Sequence, residues 1–144
     1  MTPLWTDGML RLTLRGGSVY HLQDRRLTSA EPHFFVVLNL DPHGDAFLVL
    51  AVASSKIDNV RNRSRNLPSE TLVDISPDEY GDFTVQSIVD CNHAFRVTRQ
   101  ELLQKLQAGH ASARLQMSTV ILNELRQGML ASPLIEDEIK DLLG

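Results

Sequence analysis

His33-Phe34-Phe35-Val36-Val37-Leu38-Asn39-Leu40 is followed by Asp41-Pro42-His43-Gly44-Asp45 and then by Ala46-Phe47-Leu48-Val49-Leu50-Ala51-Val52-Ala53. Two β-rich runs around a short segment holding Pro and Gly read as a hairpin. Their apolarity is almost continuous rather than alternating. A strand buried on both faces leaves no side for polar residues, so this hairpin belongs at the centre of the core.

Working outward, Gly16-Gly17 breaks the pattern before Ser18-Val19-Tyr20-His21-Leu22, which alternates with period two as a half-buried strand does. Residues 1–16 read as a weakly specified arm in which residues 9–14 alternate enough to form an edge strand. Beyond the hairpin, residues 54–68 carry four basic residues, several Asn and Ser and little to bury, which predicts a long surface loop. Loops of more than about a dozen residues are uncommon in compact domains and are often functional. Strands are expected at 71–75 and 83–89, separated by a turn over 76–82, with a short strand at 94–97 closing the sheet.

The C-terminal part reads as helical. Thr98 and Glu101 have the spacing of a capping box, Leu102, Leu103 and Leu106 form a buried face, and Gly109 ends the helix. A second helix is expected over 112–127, with Leu115, Val120, Ile121, Leu122 and Leu125 at helical spacing and Gly128 as its stop. A third has Ser132 as its cap and Pro133 at its first position, with Leu134, Ile135, Ile139, Leu142 and Leu143 as an apolar stripe. Its other face is acidic: Glu136, Asp137, Glu138 and Asp141. The expected fold class is therefore α+β, a small, strongly curved sheet of about five strands followed by a helical tail. Residues 1–109 hold the sheet and its terminal helix. Residues 110–144 form an extension that packs on the same domain or on a partner.

The chain has 144 residues, 42% of them apolar, enough for one core and too few for two domains of ordinary size. No apolar run approaches the roughly 20 residues that span a bilayer, and no secretory signal pattern opens the chain, so a cytoplasmic protein without membrane attachment is expected. Cys91 is the single cysteine and reads as a small buried hydrophobe. The net charge of −4 speaks against a general polyanion binder. Residues 1–66 nevertheless hold eight Lys/Arg against six Asp/Glu, and residues 67–144 hold six against twelve. A basic patch on the first half, around Lys56, Arg61, Arg63 and Arg65, permits local contact with nucleic acid, while a solvated loop is the plainer reading of the same run.

Signatures that stand alone are absent: no phosphate-binding glycine loop, no His-Glu-x-x-His and no Cys/His cluster with zinc spacing occurs. Asp90, Cys91, Asn92 and His93 are adjacent, and adjacency in a strand sends neighbours to opposite faces. No metal and no cofactor are expected.

Taken together, Gly17-Ser18-Val19-Tyr20, His33 to Leu38, Val49-Leu50-Ala51-Val52-Ala53-Ser54-Ser55, Gln86-Ser87-Ile88-Val89-Asp90-Cys91 and the Leu-rich helix ending in Gly109 resemble the PemK/MazF toxin family over roughly residues 16–109. The resemblance implies an SH3-like barrel and a bacterial toxin of a type II toxin-antitoxin system. It also implies metal-independent endoribonuclease activity on single-stranded RNA, with a homodimer and a cognate antitoxin as partners. In typical members an Arg-Pro pair opens the second strand and a Thr-Ser pair closes the third. These positions fall on His33-Phe34 and Ser54-Ser55, so the arginine is absent here.

Two consequences stay open. His33 and Ser54 can act as catalytic residues, with Arg25, Arg26, Ser55, Lys56, Arg61, Arg63 and Ser87 binding substrate, because transesterification by the ribose 2′-OH needs a base, an acid and donors for the phosphorane. Alternatively the catalytic cation is lost and the barrel only binds RNA or protein. In that case His33 is a strand-start residue bonding to backbone and Ser87 an ordinary strand hydroxyl. The acidity of residues 110–144 raises a further possibility, that they cover the groove as a built-in inhibitor.

Overall fold

The computed structural model describes residues 4–25 and 31–144. Its centre is the expected hairpin, formed by β2 (His33–Val37) and β3 (Leu48–Ser54), antiparallel with Phe35 opposite Val52, Val36 opposite Ala51 and Val37 opposite Leu50. Successive side chains leave a strand on opposite faces, and here both faces are covered. Val36, Val49, Ala51 and Ala53 enter one core, and Phe35, Val37, Leu48 and Leu50 enter another. The hairpin connection is secured by buried Asn39, whose amide donates to Asp45 and to the Phe47 carbonyl and whose Oδ1 accepts from Val49 N–H at 2.6 Å.

β1 (Val19–Leu22) pairs with β2, and β4 (Leu72–Ile75) pairs with β5 (Ser87–Asp90). The second edge of β3 is shared. Leu48 to Leu50 pair with β6 (Phe95–Val97), while Ala53 and Ser54 pair with β5. A seventh strand, β7 (Ala111–Ala113), adds to β1. The path β4-β5-β3-β2-β1-β7 is open, with β6 branching from β3. The α+β class holds, but among the described residues the sheet has seven strands and does not close into a barrel. Ala111-Ser112-Ala113 carries no strand signature; the unpaired edge of β1 supplies its hydrogen bonds. The strand expected at 83–89 begins only at Ser87, because Phe83 turns inward and packs edge-to-face on Tyr80 and Phe34.

Two segments expected as strand and loop are helices. In α1 (Asp7–Thr13), Thr6 caps the Met9 N–H and Arg11 pairs with Asp7 one turn earlier. The alternation over 9–14 misleads because Leu10 and Leu14 also stand four apart; both are buried, and Leu12 is left 87% exposed. The basic segment forms α2 (Ile57–Arg63), seated by buried Val60. A short 3-10 turn, Ser69–Thr71, then leads into β4.

After β6, α3 (Arg99–Gln107) has the expected capping box between Thr98 and Glu101. Gly109 follows it at φ +78°, a conformation that other residues adopt only with strain. Leu102 and Leu106 cover the second core together with Leu10 and Leu14.

The tail departs from expectation in detail. Residues 114–118 are neither helix nor strand, with Met117 buried and its N–H on the Gly17 carbonyl, and Ser118 caps α4 (Thr119–Ala131). Leu115 and Val120, expected on the buried face, are 55% and 69% exposed. Gly128 does not end the helix; it lies inside it, where a side chain would strike the Glu70 carbonyl and Cys91. Ser132 is the C-cap of α4, and the last helix, α5, is shorter than expected (Asp137–Lys140). Ile121, Leu125, Met129, Ile135, Ile139 and Leu143 complete the first core, so residues 110–144 pack on the same sheet. Arg126 donates to the Leu38 and Asn39 carbonyls, and Arg96 pairs with Glu136 and Glu138. Among the described residues no helix is long and apolar enough to cross a membrane.

Helix propensity favours Ala over Gly by about 1 kcal/mol. Gly8→Ala in exposed α1, where the new methyl meets only Thr6 Oγ1 at 3.8 Å, should gain up to that amount. Gly128→Ala puts a methyl 2.6 Å from the Glu70 carbonyl oxygen and should instead lose about 1–3 kcal/mol by overpacking. Urea denaturation of the two variants reads the opposite signs. Burial and the neighbouring Asp90 charge push the Cys91 thiol up to about 12. It should resist thiol reagents at about pH 8 in the folded protein and react on denaturation, scored by mass spectrometry.

Candidate functional site

A groove of about 400 Å³ opens where the start of β2, the end of β3, α2 and the approach to β5 converge. It gathers His33, Ser54, Ser55, Lys56, Arg63 and Ser87 from the residues singled out by sequence. The helix sorts the basic run. Lys56, Asn59, Val60 and Arg63 follow the i, i+3, i+4, i+7 spacing of one helical face and line the groove. Arg61 points elsewhere and is paired with Asp74, and Arg65 donates to Asn62. Arg25 is exposed and does not line the groove. Arg26 lies outside the described residues.

His33 is half-buried, and its Nδ1 stands 2.8 Å from the Glu31 carbonyl. A carbonyl only accepts, so Nδ1 carries the proton in the neutral ring and Nε2 keeps its lone pair. The bond to backbone is the one a strand-start histidine makes for structural reasons. It also sets the tautomer a general base requires. Ser54 Oγ accepts from the Lys56 N–H at 3.1 Å, which leaves the hydroxyl proton available to an acceptor in the groove. Ser87 is buried and donates to the Val85 carbonyl at 3.2 Å, a local strand hydroxyl with its donor already used. The neighbouring His21 ring lies 4.5 Å from Phe34. Burial, together with the charges of Arg114 and His33, lowers its pKa below the ordinary value.

Sequence reading missed the groove's support. Asp90, 1% exposed, lies beneath Arg63 and accepts from its Nε at 3.3 Å and from Ser64 Oγ at 2.8 Å. Its other oxygen accepts from the Asn92 backbone and side-chain amides at 3.0 and 2.9 Å. Asn92 also donates to Thr71 Oγ1, and its Oδ1 accepts from Ser132 Oγ at 2.6 Å. Every buried polar side-chain atom among the described residues has a partner. The only sequence signal for this cluster was the polar run after a strongly apolar strand. No residue of 110–144 lines the groove, so the tail is not a cover over it; its helices are drawn to the apolar face of the sheet instead. Among the described residues no group of three or more His, Cys, Asp or Glu is placed to hold a metal ion.

Burial alone would raise the Asp90 pKa, but hydrogen bonds from Asn92 and Ser64 and the nearby His93 outweigh it and hold the carboxyl below its ordinary 3.8. A folded value below the unfolded one contributes stability that is complete above the unfolded pKa and is lost as pH falls toward the folded one. Asp90→Asn should therefore cost roughly 2–4 kcal/mol at neutral pH, and should lose less of its remaining stability than the wild type as pH falls below about 5. Thermal unfolding against pH measures both effects. No model of a known protein family matches this chain, and no curated protein matches it either.

Proposed function

We propose that the groove is the active site of a toxin-like, metal-independent endoribonuclease that cleaves single-stranded RNA. One observation carries this reading: His33, whose Nε2 has no partner among the described residues, the Ser54 hydroxyl, Lys56 and Arg63, brought from two strands and a helix, line one groove of nucleotide scale. His33 Nε2 takes the proton of a ribose 2′-OH. The 2′-oxygen attacks the adjacent phosphorus, the 5′-oxygen leaves with a proton from solvent, and a 2′,3′-cyclic phosphate forms. Ser54 donates to a non-bridging oxygen, and Lys56 and Arg63 offset the charge that develops on the phosphorane.

The preference for single strands is proposed from size, because a groove of about 400 Å³ is on the scale of one unstacked nucleotide, which single strands present and a duplex does not. Arg63 takes the place of the arginine that the PemK/MazF family carries at the start of its second strand, approaching from α2 instead. On this reading the cellular activity is that of a toxin in the cytoplasm, held by a cognate antitoxin and acting as a homodimer.

Incubation of the purified protein with mixed-sequence RNA in EDTA should give products ending in 2′,3′-cyclic phosphate. His33→Ala should slow their formation by about 10²–10⁴-fold, the contribution of a positioned general base. Full cleavage by His33→Ala removes His33 from the mechanism. Intact RNA that remains bound at protein excess makes the groove a binding site only, and the absence of both binding and cleavage overturns the RNA reading.

A further inference from the structure

We infer that Asp90 is the positioning residue of the groove: it fixes Arg63 through Nε so that the terminal guanidinium fork is presented to a phosphate. The inference rests on the RNA reading above for its ligand, and on the protein alone for its geometry.

The Arg63 side chain is 53% exposed, while the carboxylate beneath it is 1% exposed. Among the described residues Asp90 is its one polar partner, reached through Nε at 3.3 Å, so Nη1 and Nη2 carry no protein acceptor. A planar guanidinium held from its Nε edge keeps its two terminal nitrogens side by side. That is the pair which grips two phosphate oxygens in a bidentate contact.

An ion pair with one partner half in water contributes little to stability. The carboxylate is nevertheless held by donors from three other groups, Ser64 Oγ and the two Asn92 amides, and Asn92 is braced in turn by Thr71 and Ser132. Such bracing locks the direction of the carboxylate, and with it the plane of the guanidinium. Ser132 caps the C-terminal end of α4, so the helical tail takes part in aiming Arg63 through Asn92.

Charge gives the test its sign. Asp90→Asn removes a negative charge next to the groove, and electrostatics alone would tighten binding of a polyanion. Positioning predicts the reverse, because an Asn amide that faces the Arg63 Nε–H releases the side chain. RNA affinity, read by titrating a fluorescent single-stranded oligonucleotide, should fall about tenfold in Asp90→Asn, the equivalent of one charge-assisted hydrogen bond. The salt dependence of binding should become shallower by about 0.7 in log K per log salt, the loss of one phosphate contact, and Arg63→Ala should show the same change. In the Arg63→Ala background, Asp90→Asn should cause no further loss of affinity.

Affinity equal to or tighter than wild type in Asp90→Asn overturns the inference, as does an undiminished loss in the Arg63→Ala background. Should Asp90→Asn fail to fold, Ser64→Ala keeps the charge and removes one brace; a smaller loss, again absent without Arg63, is expected, and no loss overturns the inference. The geometry has its own readout without RNA. The Arg63 Nε–H resonance should be protected from solvent exchange in wild type and unprotected in Asp90→Asn or Ser64→Ala. Rapid exchange in wild type overturns the positioning role. Protection in a protein that binds no RNA leaves the positioning intact and removes only its ligand.

Discussion

Strand β3 is the constraint on which the rest of the molecule depends. It is hydrogen-bonded on both edges, to β2 along one and to β6 and then β5 along the other, and it is buried on both faces. Burying each large aliphatic side chain is worth about 1.5–3 kcal/mol, and β3 feeds residues to both cores at once. Any shift of its register by one position would exchange the two sets of side chains between the two cores. The groove sits where this strand runs out, so Ser54 and Ser55 inherit their placement from the most strongly specified element of the fold.

Around that strand the layers are asymmetric. One face is covered by α1 and α3 through Leu10, Leu14, Leu102 and Leu106, a compact packing of short helices. The other is covered by α4, α5 and the aromatic group of Phe34, Tyr80 and Phe83. The acidic tail therefore buries Ile135, Ile139 and Leu143 of its expected apolar stripe against the sheet, while Leu134 stays 58% exposed. Two of its carboxylates meet Arg96, whose guanidinium also lies 4.6 Å from the Phe47 ring centroid. Glu136 and Glu138 are thereby held at Arg96 and do not line the groove, whose charged lining is Glu31, Lys56 and Arg63, with the Asp90 carboxylate beneath Arg63.

The polar network under the groove joins these parts. Asp90 is nearly inaccessible, yet its bonds to Ser64 and Asn92 keep it ionised, and through Asn92 it is tied to the 3-10 turn before β4 and to the end of α4. A buried carboxylate left without such partners would be costly. Fully satisfied, it makes a rigid support for the exposed guanidinium above it.

Periodicity and chemistry local to the chain made several features legible: the β2–β3 hairpin, the strand before it, the Thr98–Glu101 capping box, the glycine at the end of α3 and the burial of Cys91. In each case the deciding residues lie within a few positions of one another. The family resemblance singled out His33 and Ser54, the basic run singled out Lys56 and Arg63, and the four share one groove. What sequence could not decide was every feature set by partners distant in the chain. Residues 9–14 satisfied a strand and a helix pattern equally, and the apolar face awaiting Leu10 and Leu14 chose the helix. Ala111 to Ala113 became a strand because the edge of β1 offered it hydrogen bonds, and the described sheet is open where a barrel was expected. Gly128 was read as a helix stop, but it is the one residue small enough for α4 to pass Cys91 and the Glu70 carbonyl. Arg61 and Arg63 look alike in sequence, and only the turn of α2 sends one to Asp74 and the other to Asp90 at the groove, because a helix places neighbours two apart on different faces.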